Sequence, residues 1–524
     1  MTMVLRSAGC ATFLFALSLS VSSQAIAAAA RQSTPSVPCE SLAGLDLPQA
    51  KVVAAKAITS GSFKPDDSET TFKNLPPFCR VRVVVRPAIN IEIWMPLNNW
   101  NGKLFGFTPG GMLGAITYAD SVATKGDVGA LESAIRHGYA GIATDGGHVS
   151  SDVTWLNDLG KVIDFAYRGV HEMALKGKSV AAAFYSQQPT HTYFESCSGG
   201  GRVAMMAAQR YPDDFDGIIA GDPGANWNGL EMAQMWFLRA TTDDPAANFP
   251  VSKLPVVHNL ALTQCDANDG LKDGIIHNPL SCKIDPSVLQ CKGADGPECL
   301  TSPQVEAVKK FYAGVTYPDG RRISYGLLPG SELGWTSYTG ISDGNKQGGA
   351  STRAYIKNGI FNDPNYDVRK FDWNLDADFL KEKTEAIIDA TNPDLSAFKA
   401  RGGKLIEYYG WADGLAPPGF TLGYHEEVVK KIGSRAAVDD FYRLFMVPGM
   451  GHCGGGTGPD HFDAVGALET WVEKGVAPDR MVASRVDKDG KADMTRPICP
   501  YPQGPKYLGT GSTNEARNFY CAAP

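Results

Sequence analysis

Short apolar runs alternate with helix-favouring segments along most of the chain, and polar or glycine-rich turns follow the runs. Apolar runs of about four to eight residues between turns are typical of buried strands. The pattern predicts strands over 79–85, 91–96, 103–107, 139–145, 215–221, 404–410 and 442–447, another around Tyr193 and Phe194, and helices over 162–184, 203–210 and 462–472. The first two strands should form a hairpin. The later alternation of strand and helix predicts an α/β fold with a parallel sheet.

The pattern changes between about residues 226 and 389. This part carries closely spaced cysteines, many Asp-Gly turns and scattered aromatic residues without sustained periodicity. A chain of 524 residues also exceeds what one core usually holds. We therefore expect a core formed by 30–225 and 390–524, interrupted by an inserted lid domain over 226–389. The tail from Pro497 is rich in proline and glycine, and we expect it to form a strap closed by cysteines.

The first 29 residues have the pattern of a signal peptide. Arg6 supplies a positive start, residues 11–21 are mostly apolar, and Ala25-Ile26-Ala27 offers a cleavage site of small residues. No later run approaches the ~20 apolar residues of a membrane span. The net charge of −7, without a basic run, argues against a nucleic-acid partner. The mature protein is thus expected to be secreted or periplasmic and to act on a small molecule.

Export changes the interpretation of the cysteines, because an oxidising compartment permits disulfides. Of the 11 cysteines, Cys10 lies in the signal peptide and ten remain. Three pairs close short loops, which makes them natural partners: Cys265 with Cys282, Cys291 with Cys299, and Cys499 with Cys521. Cys39, Cys79, Cys197 and Cys453 are left over, and sequence alone does not fix their connectivity.

The strand around Tyr193 ends in Ser196-Cys197-Ser198-Gly199-Gly200 and is followed by a helix-favouring segment. This strand–turn–helix pattern is typical of a nucleophile elbow, in which small residues let the two backbones pass closely and expose the serine oxygen. Ser198 is then the nucleophile, with Ser196 in place of the usual first glycine. The alternatives are a glycine-rich turn with an incidental serine, and Cys197 as a thiol nucleophile.

A serine nucleophile needs an imidazole base that is oriented by a carboxylate. Asp413 follows the strand 404–410, and His452 lies in a glycine-rich turn after the strand 442–447. The order Ser, Asp, His is that of α/β hydrolases. Asp145 and Asp222 also stand at strand ends and are rivals for the acid, although loop hydrogen bonding would explain them equally well.

Cys197 directly precedes Ser198, and Cys453 directly follows His452. A disulfide requires Cα atoms roughly 4.4–6.8 Å apart. A bond between these cysteines would therefore hold the nucleophile and the base together. By elimination, Cys39 would pair with Cys79.

The segments Cys-Ser-Gly-Gly-Gly-Arg, Trp-Ala-Asp-Gly-Leu-Ala-Pro-Pro and Gly-His-Cys-Gly-Gly-Gly resemble the tannase/feruloyl esterase family of α/β hydrolases, and the resemblance covers nearly the whole mature chain. It implies an α/β-hydrolase fold with an inserted lid, a disulfide beside the catalytic Ser and His, and calcium in the lid. The implied triad is Ser198, Asp413 and His452. The implied oxyanion donors are the backbone amides of Gly199 and of Gly110 or Gly111, which lie in the turn after the strand 103–107.

Three aspartates fall within eight residues in the lid segment 265–276, where they repel one another unless a cation or solvent intervenes. The loop is not an EF-hand, because His277 stands where the closing Glu belongs. The resemblance implies structural Ca²⁺ bound by the carboxylates of Asp266, Asp269 and Asp273 and the carbonyls of Leu271 and Ile275. The alternative is a solvated acidic loop.

Together these patterns predict an exported serine esterase that releases an aromatic acid, such as a hydroxycinnamic or gallic acid, from its ester. The many aromatic residues of the predicted lid favour a substrate whose flat aromatic ring lies above Ser198. Arg353 is the candidate lid cation for a substrate carboxylate, although an arginine is more often a solvated surface charge. The alternative function is a non-catalytic, calcium-dependent protein that binds phenolics or carbohydrate on a hydrolase frame.

Overall fold

The structure is a computed structural model that describes Met1 and residues 34–119, 128–150, 152–341 and 349–523. Apart from Met1, the predicted signal peptide 1–29 lies outside the described residues. Within the described ranges, no helix is both long and apolar enough to cross a membrane.

A nine-stranded sheet forms the centre of the fold, in the order β1-β4-β5-β7-β6-β8-β9-β12-β13. The strands of the molecule are β1 (Ala50–Ile58), β2 (Ser62–Phe63), β3 (Phe72–Lys73), β4 (Phe78–Val85), β5 (Ile89–Pro96), β6 (Lys103–Phe107), β7 (Ala140–Thr144), β8 (His191–Cys197), β9 (Gly217–Gly221), β10 (Val315–Thr316), β11 (Arg322–Ser324), β12 (Lys404–Gly410), β13 (Tyr442–Val447), β14 (Met481–Val486), β15 (Ala492–Ile498), β16 (Gly504–Tyr507) and β17 (Phe519–Ala522). In this sheet the neighbours β1, β4, β5 and β7 pair antiparallel, and the neighbours β7, β6, β8, β9, β12 and β13 pair parallel. The predicted hairpin and parallel sheet are confirmed.

Helices cover both faces of this sheet. The α-helices are α1 (Leu131–Arg136), α2 (Leu159–Ile163), α3 (Gly169–Tyr185), α4 (Gly199–Arg210), α5 (Trp227–Thr242), α6 (Leu254–Cys265), α7 (Ser302–Ala313), α8 (Ala350–Ala354), α9 (Leu375–Ile388), α10 (Ser396–Ala400), α11 (Gly419–Ile432), α12 (Arg435–Asp439) and α13 (Ala464–Lys474). One hydrophobic cluster contains buried residues of α3 and α4, and a second contains those of α1 and α13. The parallel strands between them are apolar on both sides, as such sheets require.

The segment 226–389 is mainly helical, with α5 to α9 and the short pair β10–β11. The sequence pattern did not predict these helices. Some buried residues of this segment, between Ala233 and Ile341, form a hydrophobic cluster of their own, whereas others such as Trp227 and Phe371 belong to the cluster that contains α3 and α4. The two ends of the segment lie side by side, since the Ala390 amide donates to the Ala225 carbonyl at 2.8 Å. These features agree with an insertion, and its lid role stays a prediction.

One buried arginine connects the two parts of the fold. Arg202 of α4 is fully buried and donates to the carbonyls of Phe165 and Ala166, both at 3.0 Å, and of Ile388 at 3.1 Å. Burial lowers the pKa of Arg202 to about 9. The helix that follows the Ser198 turn is thereby bonded to the end of the inserted segment.

Five disulfides join cysteines of the described residues, and their pairs are Cys39–Cys79, Cys197–Cys453, Cys265–Cys282, Cys291–Cys299 and Cys499–Cys521. Every predicted pair is confirmed. The C-terminal region is more regular than the expected strap, because β14 pairs with β15 and β16 pairs with β17.

Candidate active site

Ser198 occupies the sharp turn between β8 and α4. Its φ of 64° and ψ of −124° lie outside the helical and extended regions. A Cβ on Gly199 would lie 1.8 Å from the Gly111 carbonyl oxygen, and one on Gly200 would lie 1.9 Å from Ser196 Oγ. The turn therefore excludes any side chain at these two positions, as a nucleophile elbow requires. Ser196 fits the first position because its hydroxyl donates to the Thr108 carbonyl at 2.7 Å.

His452 connects Ser198 to Asp413. Its Nε2 lies 2.8 Å from Ser198 Oγ, and its Nδ1 lies 2.7 Å from Asp413 Oδ2. The second oxygen of the fully buried Asp413 accepts the amides of Leu415 at 2.7 Å and Ala416 at 2.9 Å. These bonds fix the carboxylate so that it orients the imidazole. The three side chains form the hydrogen-bonded chain expected of a nucleophile, a base and an acid.

The electrostatics of this chain favour a basic imidazole. Burial opposes charge on His452, but the Asp413 carboxylate outweighs it and raises the pKa of His452 above its usual value. The net effect stabilises the imidazolium that would form when His452 accepts a proton from Ser198.

Asp145 lies at the end of β7, where its carboxylate binds the amides of Asn90 at 3.0 Å and Gly147 at 2.8 Å and the Asn90 side chain at 2.7 Å. Asp222 lies closer to the candidate triad. It accepts the amides of Gly410 at 2.8 Å and Cys453 at 3.0 Å. Asp413 is thus the aspartate whose hydrogen bond reaches His452.

The loop after β6 lies against the Ser198 turn. A Cβ on Gly110 would lie 3.4 Å from Ser198 Cβ, and Gly111 has a φ of 59°. The end of β7 supports this loop, because the Gly114 amide donates to Asp145 O and His148 Nε2 lies 2.7 Å from the Met112 carbonyl oxygen. Gly199 is the first residue of α4, so its amide is among those left without a partner inside the helix. The loop after β6 and the first residue of α4 therefore both lie beside the candidate nucleophile.

The Cys197–Cys453 disulfide joins the residues next to Ser198 and His452, with Cα atoms 6.1 Å apart. Because the Cys197 sulfur is held in this bond, it has no thiolate to attack with. The alternative of a Cys197 nucleophile is therefore wrong for this structure.

The acidic loop after α6 lies beside the loop that carries His452. Thr457 Oγ1 lies 3.5 Å from the Gly274 carbonyl oxygen, and a Cβ on Gly449 would lie 3.2 Å from Ile275 Cγ2. The acidic loop and the loop that carries His452 are therefore neighbours in space, although they are far apart in sequence.

Within the acidic loop, Asp266 accepts the amides of Asp273 at 3.3 Å and Gly274 at 3.2 Å. Two nitrogen groups approach the other aspartates: Arg496 Nη2 lies 2.7 Å from Asp273, and the ring nitrogen Nδ1 of His277 lies 2.9 Å from Asp269. Among the described residues, the three carboxylates are not drawn into one group with all ligand oxygens within 4.8 Å. Their donor chemistry still fits calcium, which prefers carboxylate and carbonyl oxygens.

Arg353 lies on α8 in the inserted segment and is partly buried. Burial lowers the pKa of its guanidinium. Its assignment to a substrate carboxylate stays a prediction.

Known proteins resemble this chain over most of its length. The sequence model of the family described as "Tannase and feruloyl esterase" matches residues 78–522. An uncharacterized esterase of Xanthomonas campestris is 35% identical, covering 95% of this chain and 93% of the relative. The mono(2-hydroxyethyl) terephthalate hydrolase of Piscinibacter sakaiensis is 33% identical, covering 83% and 82%. The crystal structure of feruloyl esterase B from Aspergillus oryzae superimposes with a TM-score of 0.83 at 28% identity, covering 92% and 99%.

Proposed function

Since the chain belongs to the tannase and feruloyl esterase family and is a carboxylic ester hydrolase with an α/β-hydrolase fold, we propose that it cleaves esters of aromatic acids through Ser198, His452 and Asp413. The observation that carries this proposal is the bridging position of His452, 2.8 Å from Ser198 Oγ and 2.7 Å from Asp413 Oδ2. The alternative of a non-catalytic binding protein is not favoured, because the relatives are esterases.

In the proposed reaction, Ser198 Oγ attacks the ester carbonyl carbon while its proton passes to His452 Nε2. Amides of Gly199 and of Gly110 or Gly111 stabilise the negative oxygen of the tetrahedral intermediate. The C–O bond to the alcohol breaks, and the alcohol leaves with the proton from His452. Water then attacks the acyl-enzyme with His452 as the base, which releases the acid and regenerates Ser198.

Two relatives support the aromatic preference. Their names specify a feruloyl ester and a terephthalate monoester, both esters of aromatic acids. The lid proposed for 226–389 would cover the ring and exclude water, and Arg353 is the proposed partner for a substrate carboxylate. The panel that tests this preference contains methyl ferulate, methyl gallate, mono(2-hydroxyethyl) terephthalate and a short aliphatic ester. A higher kcat/KM for the aliphatic ester would overturn the aromatic assignment.

We also propose that the acidic loop binds structural Ca²⁺ through Asp266, Asp269, Asp273 and the carbonyls of Leu271 and Ile275. The ion would neutralise the repulsion among the three carboxylates and would stiffen the loop that lies against the His452 turn. No step of the hydrolysis requires the ion.

We also propose that the protein is secreted to an oxidising compartment. Five disulfides are characteristic of proteins that fold outside the reducing cytosol. The signal-peptide pattern of residues 1–29 supplies the route. Determining the N-terminal residue of the exported protein tests it, and a mature chain that retains residues 1–29 would contradict it.

The catalytic assignment is tested by Ser198→Ala with a nitrophenyl ester of a short acid. Loss of the triad should leave only the residual acceleration supplied by the oxyanion site, so kcat should fall on the order of 10⁴-fold or more. Ser196→Ala is the matched control, because this neighbouring hydroxyl bonds to Thr108 and not to His452. Wild-type turnover by folded Ser198→Ala would exclude Ser198 as the nucleophile.

A further inference from the structure

A second buried carboxylate lies beside the candidate triad, and the proposed mechanism does not use it. Asp222 follows β9 and is fully buried. Its φ of 34° is in the left-handed region, which Asp and Asn tolerate better than most residues. Its backbone amide donates to the Tyr408 carbonyl at 2.8 Å, which fixes the turn against β12.

The carboxylate of Asp222 joins the two loops that carry the acid and the base. Its Oδ1 accepts the amide of Gly410, the last residue of β12, three positions before Asp413. Its Oδ2 accepts the amide of Cys453, the neighbour of His452. One rigid group therefore fixes the two loops relative to each other, independently of the direct Asp413–His452 bond.

The second observation concerns the charged groups around Asp222. One ligand atom each of Asp222, Asp413 and His452 all lie within 4.8 Å of one another. Burial and the neighbouring Asp413 raise the pKa of Asp222, while His452 and the two backbone amides oppose that rise. Both Asp222 oxygens already accept an N–H, which is the arrangement that suits the ionised form.

The titratable groups around His452 come from three strand ends: Ser198 after β8, Asp222 after β9 and Asp413 after β12. Tyr409 of β12 also faces the two carboxylates. Burial raises the pKa of Tyr409, and its hydroxyl lies 3.3 Å from the Ala416 carbonyl oxygen, so it stays neutral. Among the described residues, the carboxylates of Asp413 and Asp222 both act to raise the pKa of His452.

We propose that Asp222 is a positioning residue for the ester hydrolysis: it fixes the Asp413 and His452 loops relative to each other and places a second negative charge beside the imidazolium that forms on His452. This inference rests on the proposed function. Asp222 does not contact the reacting atoms. It acts through the backbone at Gly410 and Cys453 and through its field at His452.

The test is Asp222→Asn, assayed for kcat and KM across pH with a nitrophenyl ester. An amide has one acceptor oxygen, so one of the two backbone bonds is lost and kcat should fall on the order of 10- to 100-fold. KM should change little. Loss of the negative charge should also lower the pKa of His452 and move the acid limb of kcat/KM to lower pH by about half a unit or more. A merely structural role would not move that limb.

Asp145→Asn is the matched control, because Asp145 is also a buried aspartate at a strand end that accepts two backbone amides. It lies outside the Asp222–Asp413–His452 group, so its substitution should leave the acid limb in place. A folded Asp222→Asn protein with wild-type kcat and an unmoved acid limb would overturn the proposal.

Asp222→Glu gives a second measurement if the Asn variant does not fold. It keeps the charge, so the acid limb should stay, but its longer side chain cannot keep both backbone bonds, so kcat should fall. Wild-type kcat in this variant would overturn the positioning role. Ser198→Ala separates the two claims: if it remains active the proposed function fails, whereas an inactive Ser198→Ala beside wild-type-like Asp222 variants refutes only this inference.

Discussion

The disulfide beside Ser198 and His452 makes the sharpest quantitative prediction. Replacing Cys197 and Cys453 with Ala opens a covalent loop of sequence separation 256, and the chain-entropy model assigns about 5.5 kcal/mol to closing a loop of that length. The loop that carries His452 keeps other contacts, among them His452 Nδ1 to Asp413 and the Cys453 amide to Asp222. We therefore expect a folded protein with a strongly lowered Tm.

Activity should fall as well, because the disulfide sets the separation of the nucleophile and base segments. A displacement of about 1 Å can cost on the order of 100-fold in rate, so kcat should fall by about that factor even well below the Tm. The assay is kcat for a nitrophenyl ester at a temperature where circular dichroism shows both proteins folded.

The matched control replaces Cys499 and Cys521, whose loop of separation 22 is worth about 3.4 kcal/mol in the same chain-entropy model. This pair lies in the C-terminal hairpins and joins neither catalytic loop, so its loss should lower the Tm without lowering kcat. If the Cys197/Cys453 variant is folded and turns over at the wild-type rate, the disulfide does not hold the catalytic geometry.

Three further predictions follow from the site. The acid limb of kcat/KM should lie above about pH 6.5, because Asp413 raises the pKa of His452 and a protonated imidazole cannot accept the Ser198 proton. An acid limb at or below that pH would contradict this expectation. Asp413→Asn should move the acid limb to lower pH and reduce kcat on the order of 10⁴-fold. Gly199→Ala should reduce kcat/KM on the order of 100-fold or more, since its methyl group would overlap the Gly111 carbonyl and displace the oxyanion loop; near-wild-type kinetics would show that the loop is not used. Removal of calcium by a chelator should lower the Tm but have little effect on kcat measured well below the Tm. If the purified protein holds no metal and added Ca²⁺ does not shift its Tm, the calcium site is excluded.

Several elements were predictable because their residues satisfy one simple requirement. The strands β6, β12 and β13 have the predicted bounds, since each is an apolar run ended by a turn. The edge strand β1 was not predicted, because it is partly exposed and carries Lys51 and Lys56 among alanines. The helix α5 was missed for the opposite reason: it is buried on nearly every side, and its polar residues Asn228, Glu231 and Gln234 are buried as well.

The residues of the candidate triad were predictable from their order in the sequence and from their positions at strand ends. Ser198, Asp413 and His452 each follow a strand of the parallel part of the sheet, and such positions share one edge. Asp222 stands at the same edge, but nothing in its sequence neighbourhood indicates that it binds the amides of Gly410 and Cys453. Those contacts depend on three loops that are far apart in sequence.

The buried Arg202 has a consequence for exchanging the segment 226–389 between relatives. Because its guanidinium donates to the Ile388 carbonyl, a graft that ends before this residue would make the position of one of its three carbonyl acceptors depend on a chain from another protein. The better boundary for exchanging this segment therefore lies beyond Ile388, at the Ala225–Ala390 contact. Chimeras cut at that contact should have a higher Tm than chimeras cut a few residues earlier.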